Sequence, residues 1–252
     1  MNVFGVQAAT VASITLRATM GRKRALLFAL PPVILLLVTV ALKAAHPADA
    51  SWPSAVLGEF GLAVVLPLTA LIIGTSVLGA EIDDGSVVHL LATPVRRSTV
   101  IFSKFLVAVA LTMLFVAVPE LLSGLIATGG AGKLALGLFA GALAGSVIYN
   151  AVFVMISVLT TRAIAVGLLY LLIWESLLGN FVGGARLLSV EQYSLGIANS
   201  IAHDAHLNAH LGVGTAVLMG VIVTAVTLAL AIRRLAAFSL KGRRGLRCCR
   251  LG

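Results

Sequence analysis

The chain has 252 residues, 60% hydrophobic and 11% charged, with a mean hydropathy of +1.10. So little charge cannot cover a soluble domain of this length, which excludes a globular cytosolic enzyme and points to an integral membrane protein. The formal charge of +9 fits basic residues gathered at one face of a membrane and does not call for nucleic acid.

Residues 1–24 are mildly apolar and end in the basic cluster Arg22, Lys23 and Arg24. Val3, Val6, Val11, Ile14 and Leu16 can share one helical face, so this segment is expected to lie as a helix on the membrane surface. Six apolar runs follow, at 25–42, 56–80, 100–128, 134–159, 163–182 and 211–232, each near the roughly 20 residues a crossing needs. The "ADA" at 48–50 resembles a signal-peptide cleavage site. The long segment ahead of the first run, and Pro31 and Pro32 within it, favour an uncleaved span.

With the N-terminus inside, all but three of the 18 lysines and arginines fall on the inner side, leaving Lys43, Lys133 and Arg186 outside. That asymmetry places both termini in the cytoplasm. The expected organisation is an all-α polytopic membrane protein: an interfacial helix at 1–24, a six-span domain at 25–232 and a basic cytoplasmic tail at 233–252. Of the outer loops, 183–210 is the longest and is expected to pack as short helices at the outer surface. Cys248 and Cys249 are neighbours in the tail and have no metal-ligand spacing.

The search for chemistry begins with nucleotides. "GGAGKL" at 129–134 resembles a phosphate loop but lacks its first glycine and its final hydroxyl residue, so the chain is expected to hold no ATP site of its own. His203, His206 and His210 can share a helix face, but a solvated face explains such a cluster better than a metal site. No catalytic set can be assembled from spacing, so neither a catalytic nor a metal site is assigned.

Glu59, Glu120 and Glu175 lie within or beside spans, where a carboxylate is costly and faces protein or a cavity. With Asn150 they are the candidates for a substrate route or outer vestibule; paired or protonated structural roles stand as the alternative. Pro119 is expected to break the third span just before Glu120. Gly137, Gly141 and Gly145 form a stripe that lets another helix approach closely. Ser146, Asn150 and Ser157 form a polar strip on the same span, suited to a route or to interhelical hydrogen bonds.

The most informative stretch is "EIDDGSVVHLLATPVRRSTVIFSK", from Glu81 to Lys104. Asp83 and Asp84 suit the N-terminus of a short helix. Val87, Val88, Leu90 and Leu91 give that helix an apolar side, and Pro94 ends it. Arg96 and Arg97 follow, and Lys104 stands near the start of the third span. Residues 81–99 therefore read as a short amphipathic cytoplasmic element joined to two spans, or as an ordinary basic loop.

That segment resembles the signature of ABC-2 type transporter membrane subunits. Glu81, Gly85, Ser86, Leu90, Leu91, Pro94, Val95, Arg97 and Lys104 carry the likeness, and Ser86 stands where the family often has threonine. The stretches 16–32 and 168–194 are similar to actinobacterial members, including mycobacterial antibiotic (fluoroquinolone-type) export permeases. The resemblance implies an ABC exporter's permease in a bacterial plasma (inner) membrane. It implies pairing with a second membrane subunit, the same or a different chain, and docking of a cytoplasmic ATPase subunit that holds ATP and Mg. It further implies that Glu81, Asp83, Asp84, Gly85, Ser86, Pro94, Arg96, Arg97 and Lys104 couple the chain to that ATPase. A proton-driven secondary transporter is the alternative drawn from the membrane glutamates, although no inverted repeat is visible.

Overall fold

The computed structural model describes residues 22–46, 52–83, 97–130, 132–160, 162–178, 188–204 and 207–248. Among the described residues every regular element is a helix. Helix α1 is Arg22–Ala45, running through Pro31 and Pro32. Helix α2 joins Trp52–Val56, a π-helical stretch Leu57–Val65, and Leu66–Asp83. Helix α3 joins Arg97–Thr112, a π-helical stretch Met113–Ala117, and Val118–Thr128. Helix α4 is Lys133–Leu159. Helix α5 joins Ala163–Tyr170 to a third π-helical stretch, Leu171–Leu178. Helices α6, Val190–Ala202, and α7, Val213–Cys248, complete the fold.

Five of these helices contain a stretch long and apolar enough to cross a membrane: Leu26–Ala45, Trp52–Val77, Thr99–Thr128, Lys133–Leu159 and Val213–Arg234. Of the fifth apolar run, expected as a span over 163–182, the described part contains the apolar helix Ala163–Glu175, and residues 179–182 lie outside the described residues. The bundle is organised around α4, which packs against α2, α3, α5, α6 and α7. Burial follows that order. Of the apolar window of α4, 72% is buried inside the protein, against 22% for α1 and for α7. Leu26, Leu30 and Leu37 on α1, and Leu218 and Val221 on α7, stay exposed, as helices facing hydrocarbon require.

The prolines behave differently from expectation. Pro119 does not break α3. The π-helical stretch Met113–Ala117 ends directly before it, with the Val118 N–H donating to the Met113 carbonyl. That wide turn carries the chain past a residue without an N–H, and the α-helix resumes at once. Pro53 occupies the first turn of α2, where its missing donor costs nothing.

Asp83 closes α2 and Arg97 opens α3; the short amphipathic helix expected between them falls on residues 84–96, outside the described residues. An apolar helix can be extended by a polar turn because backbone hydrogen bonding continues where apolarity stops. Similarly, α7 has 36 residues, about 54 Å at the α-helical rise, so the last apolar run and much of the basic tail are one helix. The expected interfacial helix lies outside the described residues except for Arg22, Lys23 and Arg24, which belong to α1.

Residues 183–210, expected to pack as short helices, contain α6, whose Tyr193, Ser194, Leu195 and Ala198 are buried within the protein. A Cβ on Gly137 would stand 2.5 Å from the Ala198 carbonyl oxygen, and one on Gly141 would stand 2.6 Å from that of Ser194. A Cβ on Gly145 would stand 2.5 Å from the Ser194 hydroxyl. Helix α6 therefore runs antiparallel to α4, with Ser194, Ala198 and Ala202 laid along the glycine stripe. Small residues on both sides let the backbones meet.

Candidate functional site

Two regions merit a functional reading, one at the α2–α3 junction and one around buried acids. At the junction, Lys104 is buried, with only 1% of its surface exposed, two turns into α3. Its Nζ donates to the Val77 carbonyl oxygen at 3.1 Å, within the last two turns of α2. A buried ammonium is tolerated only with such partners. The contact fixes the end of α2 to the start of α3. Glu81 and Asp83 lie at the end of α2, and Arg97 opens α3, placed by their backbones. Asp84, Gly85, Ser86, Pro94 and Arg96 lie outside the described residues.

Glu59, Glu120, Asn150 and Glu175 occupy four different environments. Glu59 is exposed, and its Oε1 accepts from Asn208 Nδ2 at 2.8 Å. Asn150 is buried and donates through Nδ2 to Thr112 Oγ1 at 2.9 Å and to the Ser146 carbonyl at 2.7 Å. Ser157 donates to the Thr75 carbonyl at 3.3 Å. The polar strip thus bonds α4 to α3 and α2, which the second of the two sequence readings anticipated.

Glu175 is a connector. Its Oε2 accepts from Ser189 Oγ at 2.6 Å, while Oε1 accepts from Val190 N–H at 3.1 Å and from the Tyr170 hydroxyl at 3.3 Å. Ser189 is the N-cap of α6 and also accepts from Gln192 N–H. The carboxylate therefore ties the end of α5 to the N-terminus of α6, where a negative charge is favoured. Sequence reasoning singled out Glu175 but missed Tyr170 and Ser189. The Ser189-x-x-Gln192 spacing is a capping-box pattern and could have located the start of α6.

Beside this connector, burial pushes the Glu191 carboxyl up to about 7, with the charges of Glu175 and Glu59 adding to the rise. A raised carboxyl means that the folded state holds the proton more tightly than the unfolded chain. The associated stability is present below the ordinary value of 4.5 and is lost as pH rises through about 7. Glu191→Gln should flatten this fall; thermal unfolding of the detergent-solubilised chain at pH 5 and pH 8 measures it.

Glu120 is fully buried on α3, and among the described residues neither of its carboxyl oxygens has a hydrogen-bond partner. The remaining expectations concern histidines. His203 ends α6 in a left-handed conformation, φ 53°, with its N–H on the Asn199 carbonyl; His210 is exposed, and His206 lies outside the described residues. Among the described residues no three His, Cys, Asp or Glu side chains come together as a metal set. An apolar groove of about 410 Å³ runs between α4 and α7, lined by Val147, Ile148, Val217, Gly220 and Val221 among others. Such a lining accepts hydrocarbon and offers little polar discrimination.

The arrangement as a whole is a helical membrane bundle with a braced junction between two spans. A family model described as ABC-2 family transporter protein matches residues 22–184, from the first turn of α1 to beyond α5. No curated protein matches the chain.

Proposed function

The chain belongs to the ABC-2 transporter family, and on that premise we propose that it is the permease of an ATP-driven exporter that moves a hydrophobic or amphipathic small molecule out of the cell. As a membrane subunit of that family it works with a separate ABC ATPase subunit. In this reading the chain crosses a bacterial plasma membrane six times, with both termini in the cytoplasm. In this account α5 forms the fifth of those crossings. Two membrane subunits pair, and the ATPase carries ATP and Mg. An antibiotic of fluoroquinolone type is the substrate class that the sequence resemblance favours.

The observation that carries the reading is the Lys104–Val77 brace at the root of the 81–99 segment. Closure of an ATPase dimer delivers a push of a few ångströms. A loose loop would absorb it, whereas a segment whose two roots are bonded transmits it to α2 and α3. Through Asn150–Thr112 and Ser157–Thr75 the displacement reaches α4, the centre of the bundle. Glu81, Asp83, Asp84, Gly85, Ser86, Pro94, Arg96 and Arg97 form the docking surface in this account. Glu59, Glu120, Asn150 and Glu175 are the polar groups that the route would meet if α2, α3 and α4 separate.

Inside-out membrane vesicles containing the chain and its ATPase test this reading. Accumulation of a fluoroquinolone or a lipophilic fluorescent dye should require ATP and persist when an uncoupler collapses the proton gradient. Accumulation that survives ATP depletion and stops with the uncoupler would establish the proton-driven alternative.

A further inference from the structure

Glu120 stands one residue after Pro119, in the first turn of the α-helix that follows the π-helical stretch of α3. Its side chain is fully buried, and both carboxyl oxygens lie against Gly61 of α2, where any Cβ would overlap them. Ser123, one turn further on, is equally buried, and its hydroxyl too has no hydrogen-bond partner among the described residues. Among the described residues, the titratable groups on the elements packed against this part of α3 make no hydrogen bond to Glu120. On α1, Lys43 donates to the Ala127 carbonyl, two turns beyond Glu120. On α2, Glu59 is exposed and bonded to Asn208; on α4, Lys133 is exposed, and the buried Tyr149 hydroxyl has no hydrogen-bond partner among the described residues.

An ionised carboxylate enclosed in this way, with no donor and no cation on it among the described residues, would forgo its hydration at a cost of several kcal/mol. A carboxylic acid has no such debt of charge. We propose that Glu120 is a proton-binding site: in this packing it carries a proton, which it can release only when α2 and α3 part at Gly61.

The helices have a local means of parting. Gly61 lies inside the π-helical stretch Leu57–Val65, and Glu120 follows the stretch Met113–Ala117. A π turn holds about one residue more than an α turn, so converting the five-residue stretch Met113–Ala117 to α-helix rotates what lies beyond it by roughly the 100° of one α-helical residue. Such a rotation carries Glu120 away from Gly61 without unfolding either span. The proton site and this convertible turn therefore form one unit, independent of what energises transport.

Infrared spectroscopy of the purified full chain in lipid nanodiscs tests the assignment. At pH 7 the spectrum of the wild type minus that of Glu120→Gln should contain a carboxylic-acid C=O stretch, and Glu120→Asp should shift that band without removing it. Glu59→Gln, at an exposed acid, should leave it unchanged. A carboxylate band in the difference spectra at pH 7, or no acid band altered by either change at residue 120, would overturn the proposal.

Discussion

Gly141→Leu should strip the chain of its packed α6 and leave little folded protein to recover. A Cβ at this position would already stand 2.6 Å from the Ser194 carbonyl oxygen and 3.0 Å from the Ala198 Cβ. A backbone atom cannot swing aside as a side chain can, so the two helices must separate to admit even one carbon. Leucine adds three more. Overpacking of this kind costs about 3 kcal/mol or more. Separation would also pull Ser189 and the Val190 N–H from Glu175, exposing a carboxylate that now has three donors. Detergent-solubilised protein, followed by size-exclusion chromatography after graded heating, should lose its monodisperse peak at a far lower temperature than the wild type. Gly130→Leu is the control: no atom lies within 4 Å of a Cβ there, and it should behave as the wild type.

Lys104→Met should leave the protein folded and the coupling impaired. Methionine keeps much of the apolar stem and removes the ammonium that bonds the Val77 carbonyl. In the complex with its ATPase, substrate transport should fall on the order of tenfold or more, equivalent to about 1.4 kcal/mol of lost coupling. Basal ATP hydrolysis should persist, since the proposed function puts the hydrolytic site on the ATPase subunit. Lys104→Arg should retain part of the transport, because a guanidinium can still donate to a carbonyl. Transport and ATP hydrolysis both at the wild-type level in Lys104→Met would show that the brace transmits nothing.

The apolar runs were legible because hydrocarbon demands a length of apolar sequence that few other environments do. Helix ends were less so. Asp83 and Arg97 are polar, yet they belong to α2 and α3, since helical hydrogen bonding does not stop where apolarity does. The π-helical stretches left no mark, because Leu57–Val65 and Met113–Ala117 have the composition of any apolar helix. Pro119 was read correctly as a disturbance and incorrectly as a break.

The burial of α6 was written in the sequence twice and read neither time. Ser194, Ala198 and Ala202 repeat the spacing of Gly137, Gly141 and Gly145, and Ser189 with Gln192 marks a helix start. Each glycine was seen as a small residue awaiting a neighbour, but spacing on one helix does not say which helix answers it. The acids were found as types, and their partners were not. Glu175 reaches residues 14 and 15 positions further along the chain, Glu59 reaches Asn208, and Glu120 reaches no partner. Only tertiary packing distinguishes these outcomes.

If a separate ATP-binding subunit energises this chain, the two should leave the native membrane together. Gentle affinity purification, with mass spectrometry of what accompanies the chain, should recover a stoichiometric ABC ATPase, together with either a second copy of this chain or a different membrane subunit. Recovery of the chain alone across several mild detergents, with transport activity retained after reconstitution, would contradict this reading.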